Sequence, residues 1–538
     1  SNKCYNAVII IIFSRRTAVN EKSRMEYSAH NTTVGLISRI TAILCGYIVR
    51  IVFTHALSET YVGINGLFTN ILSILSLSEM GIESAIAYAL YKPVAENDEG
   101  QQRAIIQLYK KLYCYVAGFV MAAGIMVIPF LNIIIKNKGD IDDLTYIYIL
   151  YLVNSAVSYL LIYKKTLIDA HQQKYVGVMV KAVSWVIQDI VQIVVLLTTR
   201  NFILYLYIYI ITTVLSNIYI SKKAEKMYPF IKEKADEPVE AETKKSIIKN
   251  IKAMFMHQFG NVVVNNTDNL LISFFVGIVE VGCYSNYYLV IGSIKQVLNE
   301  AVDGISASVG NLGVTSDTEH IKKVYKAALL FNHWVFGLCS VCVFELISPF
   351  VELSFGKQFV FHYSIVFILC LNFYIQGIEK ASNIFHNSLG LFWFDRYKSL
   401  IEALLNLAIS IVLAPRLGVF GIFLGTTIST VLTTLWVEPY VIYKYQFKEN
   451  VVRHLLLMGV YILQTALVWW ASNKAAIYMV GFFGVTTQIG IMAVKLVTVI
   501  VVADAIYLAV NIKNKSFHYL LDKFIRLVRE RIKGKHGE

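Results

Sequence analysis

Long apolar runs recur along this chain so closely that little else fits between them. Fourteen stretches of 18 or more weakly charged residues can be drawn, at about 31–54, 62–90, 105–135, 144–163, 175–199, 202–221, 250–277, 281–309, 323–352, 360–387, 397–414, 418–443, 452–472 and 485–511. A helix needs about 20 such residues to cross the roughly 30 Å of bilayer hydrocarbon. The runs are continuous rather than alternating, which excludes a β-barrel. Only 16% of residues are charged and 56% are apolar, where a soluble domain carries nearer to about 25% charged. The expected fold class is an all-α polytopic membrane protein.

Loop charge orients the spans. With the residues before span 1 inside, the inner loops hold Lys92, Arg103, Lys164, Lys165, Lys174, Lys322, Lys323, Arg396, Lys398, Lys444, Lys448 and Arg453. Segment 222–249 adds eight lysines, and the tail after 512 adds eight basic residues. The outer loops hold Lys136, Lys138, Arg200, Lys357, Arg416 and Lys474. This bias puts both termini in the cytoplasm. It also explains most of the formal net charge of +13 without nucleic acid as a partner.

The spans divide unequally. Segment 222–249, acidic between Glu233 and Glu242 and interrupted by Pro238, reads as a flexible cytoplasmic linker between six spans and eight. The two parts resemble each other. Tyr61-Val62-Gly63 and Val281-Gly282-Cys283-Tyr284 follow the first span of each, and Asp98–Lys110 and Asp317–Lys326 follow the second. The offset is about 220 residues in both cases, and an even number of intervening spans makes it a parallel repeat with a site expected between the halves.

The chain ends differ from the spans. The sequence does not begin with Met, Val8–Phe13 is too short to span, and Arg15 and Arg16 follow rather than precede it. Residues 1–30 are read as an N-terminal extension, with Met25 a plausible start. Residues 513–538 form a basic tail in which Phe517, Leu520, Leu521, Phe524, Ile525, Val528 and Ile532 share one helical face. It suits an anionic inner leaflet or a docking face on the protein itself.

No nucleotide loop, HExxH, GxSxG or metal-ligand spacing is present, so neither an enzyme nor a bound cofactor is expected. Six of seven cysteines fall inside spans, and Cys339/Cys342 is read as packing within an apolar helix. His257, His333 and His386 are read as helix-to-helix hydrogen bonders. Any energy source is then an ion gradient, the lipid gradient or a partner.

Intramembrane charges carry the chemistry. Arg39 and Arg50 in span 1 are eleven residues apart, close to three turns, and share a face. Each costs about 2.5–3.5 kcal/mol at mid-bilayer, and two like charges cannot neutralise each other. Lys295 lies in the matching region of the second half, and Lys181 in span 5 lies eight residues from Asp189. Arg39, Arg50, Lys295 and Lys181 are the candidates for a cationic cavity that suits a diphosphate. Glu79, Glu83, Asp268 and Glu379 are the candidates for gating or ion coupling, and the first two also suit balancing the arginines. Glu345, Glu438 and Lys495 read as structural, and Gly421-x-x-x-Gly425 as close packing.

Tyr61–Phe68 (YVGINGLF), Leu77-Ser78-Glu79-Met80-Gly81, Ala87–Asp98 and Gly418–Ser429, with Arg396, Glu402, Asn406 and Ser410, resemble the Wzx-type polysaccharide flippases. That family belongs to a superfamily that also holds lipid II flippases and multidrug exporters. The resemblance covers about Asn31–Lys515. It implies an N-lobe at 31–221, a C-lobe at 250–445, a central cavity and two further helices at 446–512. It further implies alternating access in a bacterial cytoplasmic membrane. The cargo would be an undecaprenyl-diphosphate-linked oligosaccharide, its diphosphate held by Arg39 and Arg50 and its tail in lipid. Membrane lipids, a proton or sodium ion and other polysaccharide-assembly proteins are the further partners. The alternative is a cation-coupled multidrug exporter of the same fold, for which an acidic cavity is expected.

Overall fold

The computed structural model describes residues 24–534 except 80, 138–140, 142, 236–237, 304–308, 311 and 313–315. The apolar run Val8–Phe13 and the rest of residues 1–23 lie outside the described residues. The principal helices are α1 (Arg24–Ala56), α2 (Glu59–Leu75), α3 (Ile82–Ala95), α4 (Glu99–Val127), α5 (Leu144–Tyr159), α6 (Lys165–Ala170), α7 (Lys174–Thr199) and α8 (Phe202–Met227). They continue with α9 (Ala241–Phe275), α10 (Ile278–Asp303), α11 (Thr318–Phe355), α12 (Tyr363–Ser388), α13 (Lys398–Leu432) and α14 (Thr434–Val441). α15 (Val452–Phe483), α16 (Gln488–Asn511) and α17 (Lys515–Gly534) complete the chain.

Ten stretches among the described residues are long and apolar enough to cross a membrane. The chain is a polytopic all-helical membrane protein. The segments short of that criterion are informative. α9 and α10 are too polar to qualify, because they line cavities. The 50-residue stretch Lys398–Phe447 holds two crossings, since α13 folds back at Gly418, whose φ of 57° and ψ of −138° leave the helical region. Across that hairpin Asn406 donates to Thr426 Oγ1 at 2.9 Å and Ser410 Oγ to the Ile422 carbonyl at 3.1 Å. A Cβ on Gly425 would lie 2.3 Å from Ser410 Oγ, so the small-residue motif serves the approach of the two arms.

Span 2 is not the single helix its apolar run predicts. It breaks into α2, a 3-10 turn at Ser76–Glu79, and α3, which starts from Gly81 at φ 89°. Only glycine takes that conformation without a Cβ clash, and one glycine in an apolar run is easily passed over as helix.

The two motif copies share local structure. Asp98 caps α4 by accepting from the Gln101 amide at 2.9 Å, and Asp317 caps α11 by accepting from the His320 amide at 3.3 Å. α2 packs along α10, and Gly63 and Gly282 mark their crossing. At the same, lysine-poor end, the Lys136 amide donates to the Ser273 carbonyl at 3.3 Å and the Ile278 amide to the Lys136 carbonyl at 3.2 Å. Tyr47 and Ser354 share a hydroxyl hydrogen bond of 2.5 Å. This end is closed by contacts between the first and second halves.

Among the described residues, parts of segment 222–249 are helical. α8 runs to Met227 and α9 begins at Ala241. Between them, Arg103 pairs with Glu233 at 3.1 Å and donates to the Lys234 carbonyl at 3.1 Å. The amphipathic tail forms α17 and rests on α11, with Phe517 stacked on Trp334 at 5.9 Å and Lys323 over the Tyr519 ring at 4.8 Å. The side chains of Phe524, Val528 and Ile532 lie outside the described residues.

Several intramembrane charges pair helix to helix. Lys495 lies 3.1 Å from Glu345, which also accepts from Asn473 at 2.5 Å. Glu438 pairs with Lys398 and accepts from Asn383 at 3.2 Å. His333 joins Tyr374 and Gln464, each at 2.9 Å, and His386 lies 2.9 Å from Asp395. The side chain of His257 lies outside the described residues. Six described cysteines are free.

Candidate functional site

α1 separates two environments. Ile37, Ile40, Leu44 and Ile48 form an exposed apolar stripe on one side. Ala42, Gly46, Val49, Arg50 and Phe53 face a cavity on the other, and Arg39 lies on the same side. The helical period thus puts both arginines on the inner wall.

Arg50 lines a cavity of about 590 Å³ between α1, α2, α7, α8, α9 and α10. Its Nε donates to Asn286 Oδ1 at 2.7 Å and its guanidinium lies 5.9 Å from the Phe53 ring. One terminal nitrogen, Nη2, is buried without a hydrogen-bond partner. Among the described residues no carboxylate is within ion-pair distance of Arg50. Asn65, Gln188, Asp189, Gln192, Tyr205 and Asn266 give this cavity its polar lining.

Tyr284, Tyr288 and Leu289 of α10 are shared with a second cavity of about 600 Å³. This one holds Arg39, Lys295, Asp268, Glu300 and Asp303. Its charges are largely matched. Arg39 pairs with Glu300, Asp303 with Lys380 at 2.7 Å, and Lys295 bonds to Gln376. Asp268 is buried, and its Oδ1 has no partner. The expected cationic cavity is therefore mixed: Arg39 and Lys295 share it with three carboxylates.

Lys181 is not in either cavity. It lines a separate chamber of about 330 Å³ inside the first half, together with Glu79 and Glu83. Lys181 and Asp189 are thus divided between neighbouring cavities, although eight residues put them on one helical side. Glu379 lines none of the three; it faces Glu438, Glu402, Lys398 and Lys295. Sequence reasoning missed the uncharged wall: Asn65, Asn286, Gln188 and Tyr205. The repeat gave no signal for them, since Asn65 and Asn286 follow Gly63 and Gly282 by two and four residues and so do not occupy equivalent positions.

No family model matches the chain, and no curated protein sequence does. Solved structures do match in fold. The lipid II flippase MurJ, in an inward closed conformation, superposes with a TM-score of 0.63 at 13% identity, over 90% of this chain and 99% of that one. A multidrug resistance MATE family transporter of the MOP superfamily, in an inward-facing conformation, gives 0.55 at 15% identity, over 76% of this chain and 98% of that one. At such identities the likeness is one of architecture, and the fold of this chain is the one shared by the lipid II flippase MurJ and the MATE transporters of the MOP superfamily.

Proposed function

We propose that the chain is a flippase for an undecaprenyl-diphosphate-linked oligosaccharide, working by alternating access between an N-lobe (31–221) and a C-lobe (250–445). The observation that carries this reading is Arg50: a guanidinium on the cavity wall, aimed by Asn286, without a carboxylate partner and with one unpaired nitrogen. An arginine presents donors in a planar fork that matches phosphate oxygens in pairs. Arg39 lies on the same wall about 16 Å away, at 1.5 Å per helical residue. The two guanidinium groups line different cavities, so they act as successive holds. Glu300 is the group Arg39 leaves when the diphosphate reaches it. Loop charge assigns the closed, lysine-poor end to the outer face. The cargo then enters from the cytoplasmic leaflet, with its tail in lipid along the exposed side of α1 and against α15 and α16.

Asp268 favours ion coupling within the same cycle. A buried carboxylate with an unpartnered oxygen is costly in a bilayer, and a proton or sodium ion there offsets that cost. The same residue, with Asp189, is what a cation-coupled multidrug exporter would use, and that is the second reading.

Complementation separates the two. In cells lacking their own flippase, Arg50→Ala abolishes export of the linked glycan while the protein stays in the membrane. Full export by Arg50→Ala and by the Arg39→Ala/Arg50→Ala double variant overturns the diphosphate reading. Drug resistance conferred by the wild type and lost in Asp268→Asn supports the exporter instead.

A further inference from the structure

The chamber inside the first half has a chemistry unlike that of the arginine cavity. It is walled by α2–α3, α4, α5, α7 and α8, and it opens to the Arg50 cavity past Trp185, Gln188 and Tyr209, which line both. Its floor is fixed. Asn217 donates to the carbonyls of Val157, Ser158 and Leu160 at 3.3, 3.1 and 3.0 Å, satisfying the end of α5 where Leu161 takes φ 69°. Its wall beside α2 is fixed too, with Tyr159 donating to Ser76 Oγ at 2.7 Å and Tyr113 to Glu79 Oε1 at 3.1 Å.

The charges nearly cancel. Lys165 lies 2.6 Å from Asp169 and 3.5 Å from Glu83. That leaves Glu79 and Lys181, the latter with its Nζ 4.9 Å from the centre of the Trp185 ring. Such a space has no net attraction for a diphosphate and gives it no fork of donors. It offers instead a carboxylate, an ammonium, amides and hydroxyls around an aromatic face. Hydroxyl groups both donate and accept, so they satisfy such a mixed wall. The apolar C–H face of a pyranose ring suits the exposed indole. At about 330 Å³ the chamber is at the small end of ligand pockets, room for one or two sugar rings.

We infer that this chamber is the sugar-reading subsite: it takes a neutral, hydroxyl-rich ring of the lipid-linked glycan while Arg50 holds the diphosphate. Trp185 and Glu79 are its main contacts. The inference rests on the flippase reading and adds where glycan specificity resides.

The test compares two probes on purified protein in nanodiscs: synthetic undecaprenyl diphosphate, and the lipid-linked oligosaccharide extracted from the producing cells. The sugar should tighten binding to the wild type at least tenfold. Glu79→Gln should remove most of that gain and leave the Kd for undecaprenyl diphosphate unchanged, which also shows that the variant folds; Trp185→Ala, whose ring also borders the Arg50 cavity, should remove most of the gain as well. Equal affinity of the wild type for both probes, or a gain retained in both variants, overturns the subsite. Failure of the flippase reading looks different: undecaprenyl diphosphate itself does not bind, or binds Arg50→Ala as tightly as wild type.

Discussion

Gly63 of α2 and Gly282 of α10 meet where neither helix has room for a side chain. A Cβ on Gly63 would lie 1.9 Å from the Ile278 carbonyl oxygen, and one on Gly282 would lie 3.0 Å from the Glu59 carbonyl oxygen. They are 219 positions apart, the offset of the repeat. The closed end is thus built from the same piece of sequence twice. Backbone is a poor neighbour to displace, and overpacking of this kind costs about 1–3 kcal/mol. Gly63→Ala should therefore destabilise the closed end, raise labelling of a cysteine at Ser285 by an impermeant reagent applied from that side, and lower transport at least fivefold. Unchanged labelling and transport would remove the crossing from the mechanism.

On the flippase reading Asn286 acts on cargo through Arg50, whose Nε donates to its Oδ1 at 2.7 Å. Asn286→Ala frees the guanidinium to turn. Export should fall by roughly ten- to a hundredfold, as expected for one lost hydrogen bond to a charged group, without reaching the full loss of Arg50→Ala. Initial rates at several cargo concentrations distinguish a weakened hold from a lost protein.

Glu345 and Lys495 illustrate a pair that is safe only as a pair. The Glu345 side chain is 2% exposed and Lys495 24%. Removing one partner of a buried pair costs about 3–5 kcal/mol, whereas replacing both with apolar groups is often neutral. Lys495→Met should lower the melting temperature in detergent by several degrees, and Glu345→Leu/Lys495→Met should restore most of it. Equal losses in the single and double variants would argue that Asn473, not Lys495, is the partner that matters.

Gly418 has open space around its missing Cβ, so a substitution there tests backbone alone. Its φ of 57° with ψ of −138° is a sparsely populated conformation that costs an L-residue about 1–3 kcal/mol. Gly418→Ala should lower the melting temperature by a few degrees with transport retained in the folded fraction. A change in transport without a change in stability would instead give the hairpin tip a role in motion.

Outside the spans, the hydrogen bond from Lys322 holds the Glu449 carboxyl below its ordinary range. A lowered carboxyl contributes stability above its unfolded pKa, near 4.3, and loses it as pH falls through the still lower folded value. Hydrogen exchange at 448–451, normalised to the intrinsic amide rate at each pH, should be unchanged from pH 8 to 5 and should speed up only below about pH 4. The pair is at the surface, so added salt should blunt the effect. Acceleration already at pH 6 would assign the tether to another group.

Much of this architecture was legible because lipid forces it to be. Each crossing must satisfy its own backbone, so a helix announces itself as an uninterrupted apolar run. The break in span 2 was not legible, because Gly81 inside such a run looks like any tolerated glycine. Arg39 and Arg50 stood out by cost. Glu300 as the partner of Arg39 did not, since the two are 261 residues apart and pairing across that distance has no local signature. The assignment of Lys181 to the arginine cavity failed for a related reason. A helical face fixes direction, and which of two adjoining spaces lies in that direction depends on side chains of five other helices.

The two sides of α1 have a consequence for what a cargo's length means. Oil lies against Ile40 and Leu44, and a polar cavity lies against Arg50, about one helix diameter of 10 Å apart. An amphiphile threaded around this helix keeps each of its ends in its own solvent throughout the journey. Drawing a tail through water would cost about 0.8 kcal/mol for every methylene, and a carrier that worked so would slow steeply with each added isoprene unit. On the proposed flippase reading that dependence should vanish along α1: short and long tails should travel alike, and the work of crossing should fall on the head alone.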